Sequence, residues 1–207
     1  GQLLKYVFMV VFTTALSFGL TYMFGYEDEA PVVASENETT ERLVEEETTG
    51  TVPATLQDET IISPIVGTAV ELSRVDDPVF SSGAMGQGIA IKPTEGVVYA
   101  PADAEVTIAF ATGHAYGLKT ANGAEILIHV GIDTVSMNGE GFDQKVAQGD
   151  KVKAGDVLGT FDAAKIAAAG LEDTTMVIVT NTADFASVTP VATGSVAKGD
   201  AIIEVKA

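Results

Sequence analysis

Hydrophobic positions along the chain follow three successive patterns. Residues 1–26 are apolar almost without interruption, Lys5 being the single charge, and a span of about 20 such residues is long enough to cross a bilayer as a helix. Residues 27–54 reverse this: Glu27, Asp28, Glu29, Glu36, Glu38, Glu41, Glu45, Glu46 and Glu47 stand against Arg42 alone, the composition of a solvated, self-repelling flexible linker. Residues 55–207 change again, to short β-type runs separated by Gly, Pro, Asn and Asp. Strands are expected at 59–62, 67–71, 88–92, 96–100, 104–110, 115–120, 125–130, 156–161, 175–180 and 201–205, and so many short strands with so little helix predict a mainly β domain, a compact sandwich or barrel.

A signal peptide is the competing reading of residues 1–26. The run is longer than the usual signal core, however, and no small-x-small cleavage site precedes the acidic stretch. With Gly rather than Met at position 1, the segment reads as the last helix of a longer membrane domain, Tyr22 and Tyr26 lying at the interface.

Within the β region, Asn122-Gly123 predicts a type I′ hairpin joining 115–120 to 125–130. Period-2 alternation along the second strand puts Glu125, Leu127 and His129 on one face and Ile126, Ile128 and Val130 on the other. Both faces are largely apolar, so the strand is expected to be buried on both sides. The one persuasive helix begins at Asp162, a good N-cap, runs through an alanine-rich stretch and ends at Gly170. Gly-Asp pairs recur at 149–150, 155–156 and 199–200, as a weak internal duplication or as ordinary tight turns. The Gly83–Gly88 stretch lacks the Lys-Ser/Thr of a phosphate-binding loop and reads as a flexible surface loop.

Charge and chemistry narrow the function. A net charge of -18 argues against nucleic acid, which is held by clustered Lys and Arg, and suits partners that carry Arg. Cysteine is absent, which removes disulfides, thiolate zinc sites and a cysteine nucleophile within these residues. The two histidines, His114 and His129, are brought to the same end of the ladder by the predicted hairpin, among small neighbours that leave room for another group. They could be satisfied structural residues. They could bind metal, since His129 and Asp133 form an H-x-x-x-D spacing like that of zinc peptidases of the lysostaphin type, but no third histidine completes such a site. Or they could pass a phosphoryl group, an imidazole being largely neutral near pH 7 and nucleophilic at one nitrogen while the other is held.

Seven ordered motifs carry a resemblance: Ile61–Gly67 (IISPIVG), Asp77–Phe80 (DPVF), Gly88–Pro93 (GIAIKP), Ala100–Ala104 (APADA), Thr112–Ala115 (TGHA), Ile128–Val135 (IHVGIDTV) and Gly139–Phe142 (GEGF). Together they resemble the IIA domain of the glucose and β-glucoside class of the bacterial sugar phosphotransferase system, over residues 55–207. The resemblance implies a β-sandwich in which His129 accepts phosphate from the phosphocarrier HPr and passes it to a cysteine of a IIB domain. His114 would assist the transfer, and Thr112 would orient His114. Asp77, Val79, Phe80 and Asp133 would form the partner-binding rim, the carboxylates pairing with an Arg of the docking protein. No metal or cofactor is implied. In fused permeases of this class the IIA domain follows a IIC membrane domain in the same polypeptide, which implies a place at the bacterial inner membrane with the IIA domain on the cytoplasmic side. A regulatory binding module using the same face is the alternative. Val130 departs from the resemblance, since many members carry a larger aromatic residue there.

Overall fold

The computed structural model describes residues 56–207; the predicted membrane helix (1–26) and acidic linker (27–54) lie outside the described residues. No helix among the described residues is long and apolar enough to cross a membrane. In chain order the elements are β1 (Glu59–Ile62), β2 (Gly67–Glu71), α1 (Pro78–Ser81), β3 (Gln87–Pro93), β4 (Val97–Tyr99), β5 (Ala104–Ala109), β6 (Ala115–Thr120), β7 (Glu125–His129), β8 (Phe142–Gln144), β9 (Lys151–Val152), β10 (Val157–Phe161), α2 (Ala163–Ala168), β11 (Thr175–Val179), β12 (Ser187–Pro190), β13 (Gly194–Val196) and β14 (Ala201–Lys206), with short 3-10 turns at Leu72–Arg74, Thr134–Met137 and Thr182–Asp184.

The expected mainly β domain is present. An eight-stranded sheet runs β13-β2-β3-β11-β7-β6-β5-β9, and two three-stranded sheets, β1-β14-β12 and β4-β10-β8, accompany it. Neighbouring strands are antiparallel throughout. One hydrophobic core takes side chains from all three sheets, among them Ile89, Tyr116, Ile126, Ile128 and Val177 from the large sheet, Ile203 and Val205 from β14, and Leu158 and Phe161 from β10. Burying this apolar surface is the main stabilising contribution to the fold.

The ten expected strands all form. The sequence pattern missed β8, β9, β12 and β13, which are two to four residues long; segments that short give alternation too few positions to register. At α2, Asp162 Oδ1 accepts from the amides of Ala164 (2.9 Å) and Lys165 (3.2 Å), and Gly170, at φ +75°, ends the turn as expected. The three Gly-Asp turns share one geometry: the amides of Ala147, Lys153 and Ala197 each donate to Oδ2 of the aspartate three residues on, at 2.8 Å, and each aspartate amide returns to the same residue's carbonyl. Shared turn chemistry accounts for their likeness.

The β6–β7 hairpin corrects the sequence reading in one respect. A type I′ turn needs positive φ at both Asn122 and Gly123, and of the two only Gly123 has it, at +96°. The amide of Gly123 donates to the carbonyl of Thr120, and the amide of Thr120 to the carbonyl of Ala124. The loop is therefore the three-residue kind that carries a glycine bulge. A further tie explains the choice: Thr120 Oγ1 accepts from the Ala124 amide at 3.0 Å and donates to Glu59 Oε1 at 2.7 Å. The resulting register sets Ala115 opposite His129 and Tyr116 opposite Ile128, one residue away from the pairing that a two-residue loop would impose.

Candidate functional site

His129 is the last residue of β7, and its neighbours are dictated by register. Across the large sheet Ala90 faces Met176, Met176 faces His129, and His129 faces Ala115. All four are buried. This row lies on the sheet face away from the main core, whose side of β7 is supplied by Ile126 and Ile128, with Val130 following them, as the alternation predicted. Small or flexible neighbours on both sides leave the imidazole packed but not crowded.

Directly after the strand the backbone turns sharply. Gly131 adopts φ +76°, and a Cβ there would overlap the Thr134 methyl and lie 2.7 Å from the carbonyl oxygen of Glu172. Only glycine fits. The turn brings the Gly131 carbonyl 2.8 Å from His129 Nδ1. A carbonyl oxygen only accepts, so Nδ1 carries the proton and the lone pair of the neutral ring sits on Nε2. That Nε2 is buried and has no protein hydrogen-bond partner. A buried polar atom left unpaired is rare in native proteins and asks for a functional explanation.

His114 approaches from the neighbouring turn. Alternation continued one residue back from Ala115 would send it to the core face beside Tyr116. It lies outside the strand, though, after Gly113 at φ +68°. The two imidazoles meet edge to face, their centroids 5.0 Å apart with 79° between planes. Thr112 Oγ1 lies 2.6 Å from His114 Nδ1, within hydrogen-bond distance. The His114 carbonyl accepts from the Val130 amide at 2.8 Å, so the two histidine segments are joined through backbone as well.

Burial keeps both rings neutral. It pushes the His114 pKa down to about 3, with the neighbouring His129 contributing, because a desolvated imidazolium is costly. For His129 burial again pushes downward; the hydrogen bond to Gly131 and the negative charges of Asp77 and Asp133 act against it. Nucleophilic attack needs the neutral form, and the site holds it.

The remaining predicted residues divide. Phe80 is buried, its ring 5.1 Å from that of His129, so it covers the site more than it faces a partner. Val79 is 42% exposed and Asp133 is exposed. Asp133 also has φ +57°, left-handed backbone in which a non-glycine residue is strained. Asp77 has a local task that its sequence neighbours could have revealed, since Asp-Pro is a helix-start signal. Its Oδ1 accepts from the amides of Val79 (2.7 Å) and Phe80 (3.2 Å), capping the short helix that carries Phe80. Of the Gly83–Gly88 stretch, Gly86 packs against the Val179 carbonyl and Gly88 belongs to β3, which holds part of the expected loop firmly. Sequence reasoning missed Phe110, whose ring stands 5.3 Å from that of His114. Its signal was the tight turn at Gly113, whose amide donates to the Phe110 carbonyl.

Among the described residues no group of three or more His, Asp or Glu side chains is arranged to hold a metal ion. The arrangement offers a neutral, oriented nitrogen nucleophile beside a second imidazole, with carboxylates near the mouth.

Comparison with known proteins gives a consistent set of relatives. Residues 59–185 match the family model of the phosphoenolpyruvate-dependent sugar phosphotransferase system, EIIA 1. Over 141 residues, 68% of this chain, it is 50% identical to the β-glucoside-specific EIIBCA component of Dickeya chrysanthemi, of which it spans 22%. It is 49% identical over 125 residues, 60% of this chain, to the glucose-specific EIIA component of Bacillus cereus, of which the match spans 76%. A solved structure, the glucose permease IIA from Mycoplasma capricolum, superposes with a TM-score of 0.68 at 36% identity, covering 72% of this chain and 96% of that one. The chain thus spans about a fifth of the fused relatives and most of the single-domain ones.

Proposed function

Because the chain belongs to the EIIA 1 family of the phosphoenolpyruvate-dependent sugar phosphotransferase system, we propose that it is a phosphoryl carrier that accepts phosphate on His129 Nε2. The observation that carries this reading is the fixed tautomer: Nδ1 is committed to Gly131 and Nε2 is left buried with a lone pair and no protein partner.

The chemistry follows from that geometry. A phosphorylated donor, HPr in this family, docks over the histidine pair; because Nε2 is buried, the side chains packed around it, Phe80 among them, have to shift to admit the phosphorus. The Nε2 lone pair forms the new N–P bond while the donor's bond to phosphorus breaks, its electron pair staying on the donor. The His129 ring, now substituted on both nitrogens, becomes cationic. Gly131 then holds a charged N–H, a stronger bond than before, and Asp77 and Asp133 favour the positive ring through space. The same carboxylates repel a phosphoryl dianion, and an Arg of the partner would balance them. We assign the Thr112 hydroxyl, 2.6 Å away, as donor to His114 Nδ1, which leaves His114 with Nε2–H to donate to a phosphoryl oxygen. In the second transfer a cysteine thiolate of a IIB domain attacks phosphorus, and the Nε2–P bond breaks with its pair returning to His129. No metal is needed where protein groups surround the phosphorus.

The apolar residues 1–26 and the acidic residues 27–54 support a wider arrangement in which a transmembrane helix ends a IIC domain, a linker follows, and residues 55–207 work on the cytoplasmic side of the bacterial membrane. The sugar transported would be chosen by that membrane domain.

Incubation with phosphoenolpyruvate, enzyme I and HPr tests the reading by mass spectrometry. A gain of about 80 Da, one phosphoryl group, is expected, absent in His129→Gln. His114→Gln is expected to accept phosphate and to pass it on poorly. No gain in the unaltered chain would refute the carrier function.

A further inference from the structure

The tautomer of His129 depends on where the Gly131 carbonyl points, and one buried side chain packs against that turn. Thr134 is fully buried, at 0% exposure. Its hydroxyl donates to the Val130 carbonyl at 2.5 Å, and its methyl lies where a Gly131 Cβ would be. The Val130 unit is gripped at both ends, since its amide donates to the His114 carbonyl. On the other side of Gly131, the Ile132 amide donates to the Glu172 carbonyl at 2.8 Å. Of the three groups that hold the backbone around Gly131, the His114 carbonyl, the Glu172 carbonyl and Thr134, only Thr134 acts through a side chain, so it alone can be removed by substitution.

We propose that Thr134 is a positioning residue for phosphoryl transfer: by holding the Val130 carbonyl, its hydroxyl fixes the Gly131 carbonyl on His129 Nδ1 and so keeps the nucleophilic lone pair on Nε2. This rests on the carrier function of His129. Physically, the peptide units on either side of a left-handed glycine can rotate together at little cost, and rotation by a few tens of degrees would take the Gly131 oxygen off the ring nitrogen. The hydroxyl resists it because the Val130 carbonyl has no water to turn to in this buried turn. The Thr134 hydroxyl bonds backbone and not the ring, so its effect on the tautomer passes through backbone.

The decisive comparison uses the full 207-residue chain with 15N-labelled histidine, in which two residues give signals. Long-range proton–nitrogen spectra report the tautomer of each ring, and phosphoryl uptake from HPr reports the rate. The unaltered chain is expected to give His129 as the Nδ1–H form. Thr134→Val keeps the shape and removes the hydroxyl; it is expected to give a tautomer mixture at His129, an unchanged His114 signal, and uptake slowed about fivefold, the factor one net hydrogen bond provides. Thr134→Ser, which keeps the hydroxyl, is expected to restore both. A His129 tautomer unmoved in Thr134→Val overturns the proposal, as does a moved tautomer with unchanged uptake, or a Thr134→Ser that behaves like the valine variant. Should Thr134→Val fail to fold, Thr134→Ala read against Thr134→Ser makes the same comparison. The tautomer spectra need no phosphoryl donor, so if the unaltered chain takes up no phosphate it is the carrier function that fails, and this is seen separately.

Discussion

His129 Nδ1 donates a hydrogen bond to the carbonyl oxygen of Gly131, two residues further along the chain, at 2.8 Å. Donor and acceptor are thus set by one short piece of backbone, and the orientation of the ring follows from the left-handed turn at Gly131. Catalytic imidazoles commonly take their tautomer from a partner on the far nitrogen; here that partner is local, which leaves Nε2 without a protein partner.

Gly131→Ala is therefore expected to harm both fold and site. A left-handed backbone costs a non-glycine residue about 1–2 kcal/mol, and the new methyl also meets Thr134 and the Glu172 carbonyl. A loss of roughly 2 kcal/mol or more in urea unfolding is expected. Wild-type stability in this variant would mean that the turn is not held as described.

Phe80→Ala removes the ring that covers His129 at 5.1 Å. Since burial is what pushes the His129 pKa below its ordinary 6.5, opening the site should raise it. An NMR pH titration of the imidazole protons checks this, and a pKa that stays put or falls contradicts it. Phosphohistidine should also hydrolyse faster, because water gains access.

Asp77 carries two functions that substitution separates. Asp77→Ala loses the cap on α1 and should cost about 1 kcal/mol, whereas Asp77→Asn retains an acceptor for Val79 and Phe80 and should unfold almost as the unaltered chain does. If docking uses the charge, both variants should take up phosphate from HPr more slowly, and the salt dependence of that rate should weaken in both. An Asp77→Asn that docks normally would leave Asp77 as a helix cap alone.

Stability should fall on mild acidification. Both histidines have depressed pKa values in the folded chain, that of His114 to about 3 from an ordinary 6.5. For His114, between those values the unfolded chain binds the proton and the folded one does not, so its contribution is complete above about pH 6.5 and declines as pH drops towards 3, by about 1.4 kcal/mol per unit; His129 acts in the same direction. Denaturant unfolding of His114→Gln between pH 7 and 4.5 should give a shallower decline than the unaltered chain. Equal slopes would contradict the burial of His114 as a neutral ring.

Much of the β region is legible in the order of its residues. Period-2 runs bounded by Gly, Asn and Asp locate ten strands, because alternation reports which side of a sheet meets the core. Asp162 and Gly170 frame α2 by capping chemistry that acts within a few residues. The faces of β7 follow the alternation, with Ile126 and Ile128 in the core and Leu127 and His129 on the other side. The short edge strands β8, β9, β12 and β13 exist because longer neighbours offer them a ladder, and nothing within them announces it.

The sequence by itself determined which residues are the candidates for the chemistry, since His114 and His129 lie in the motifs that carry the family resemblance, and which of them ends a buried strand. Tertiary structure decided how the two rings meet. The loop at Asn122-Gly123 took the three-residue form because Thr120 is also tied to Glu59 on β1, a contact 61 residues away in sequence; the register shifted by one, and His114 reached His129 only by leaving the strand after Gly113. It also decided that Nε2 is the free nitrogen, through a turn whose shape depends on Thr134 and on the Glu172 carbonyl from the segment after α2. Such contacts join distant segments, and local pattern carries no record of them.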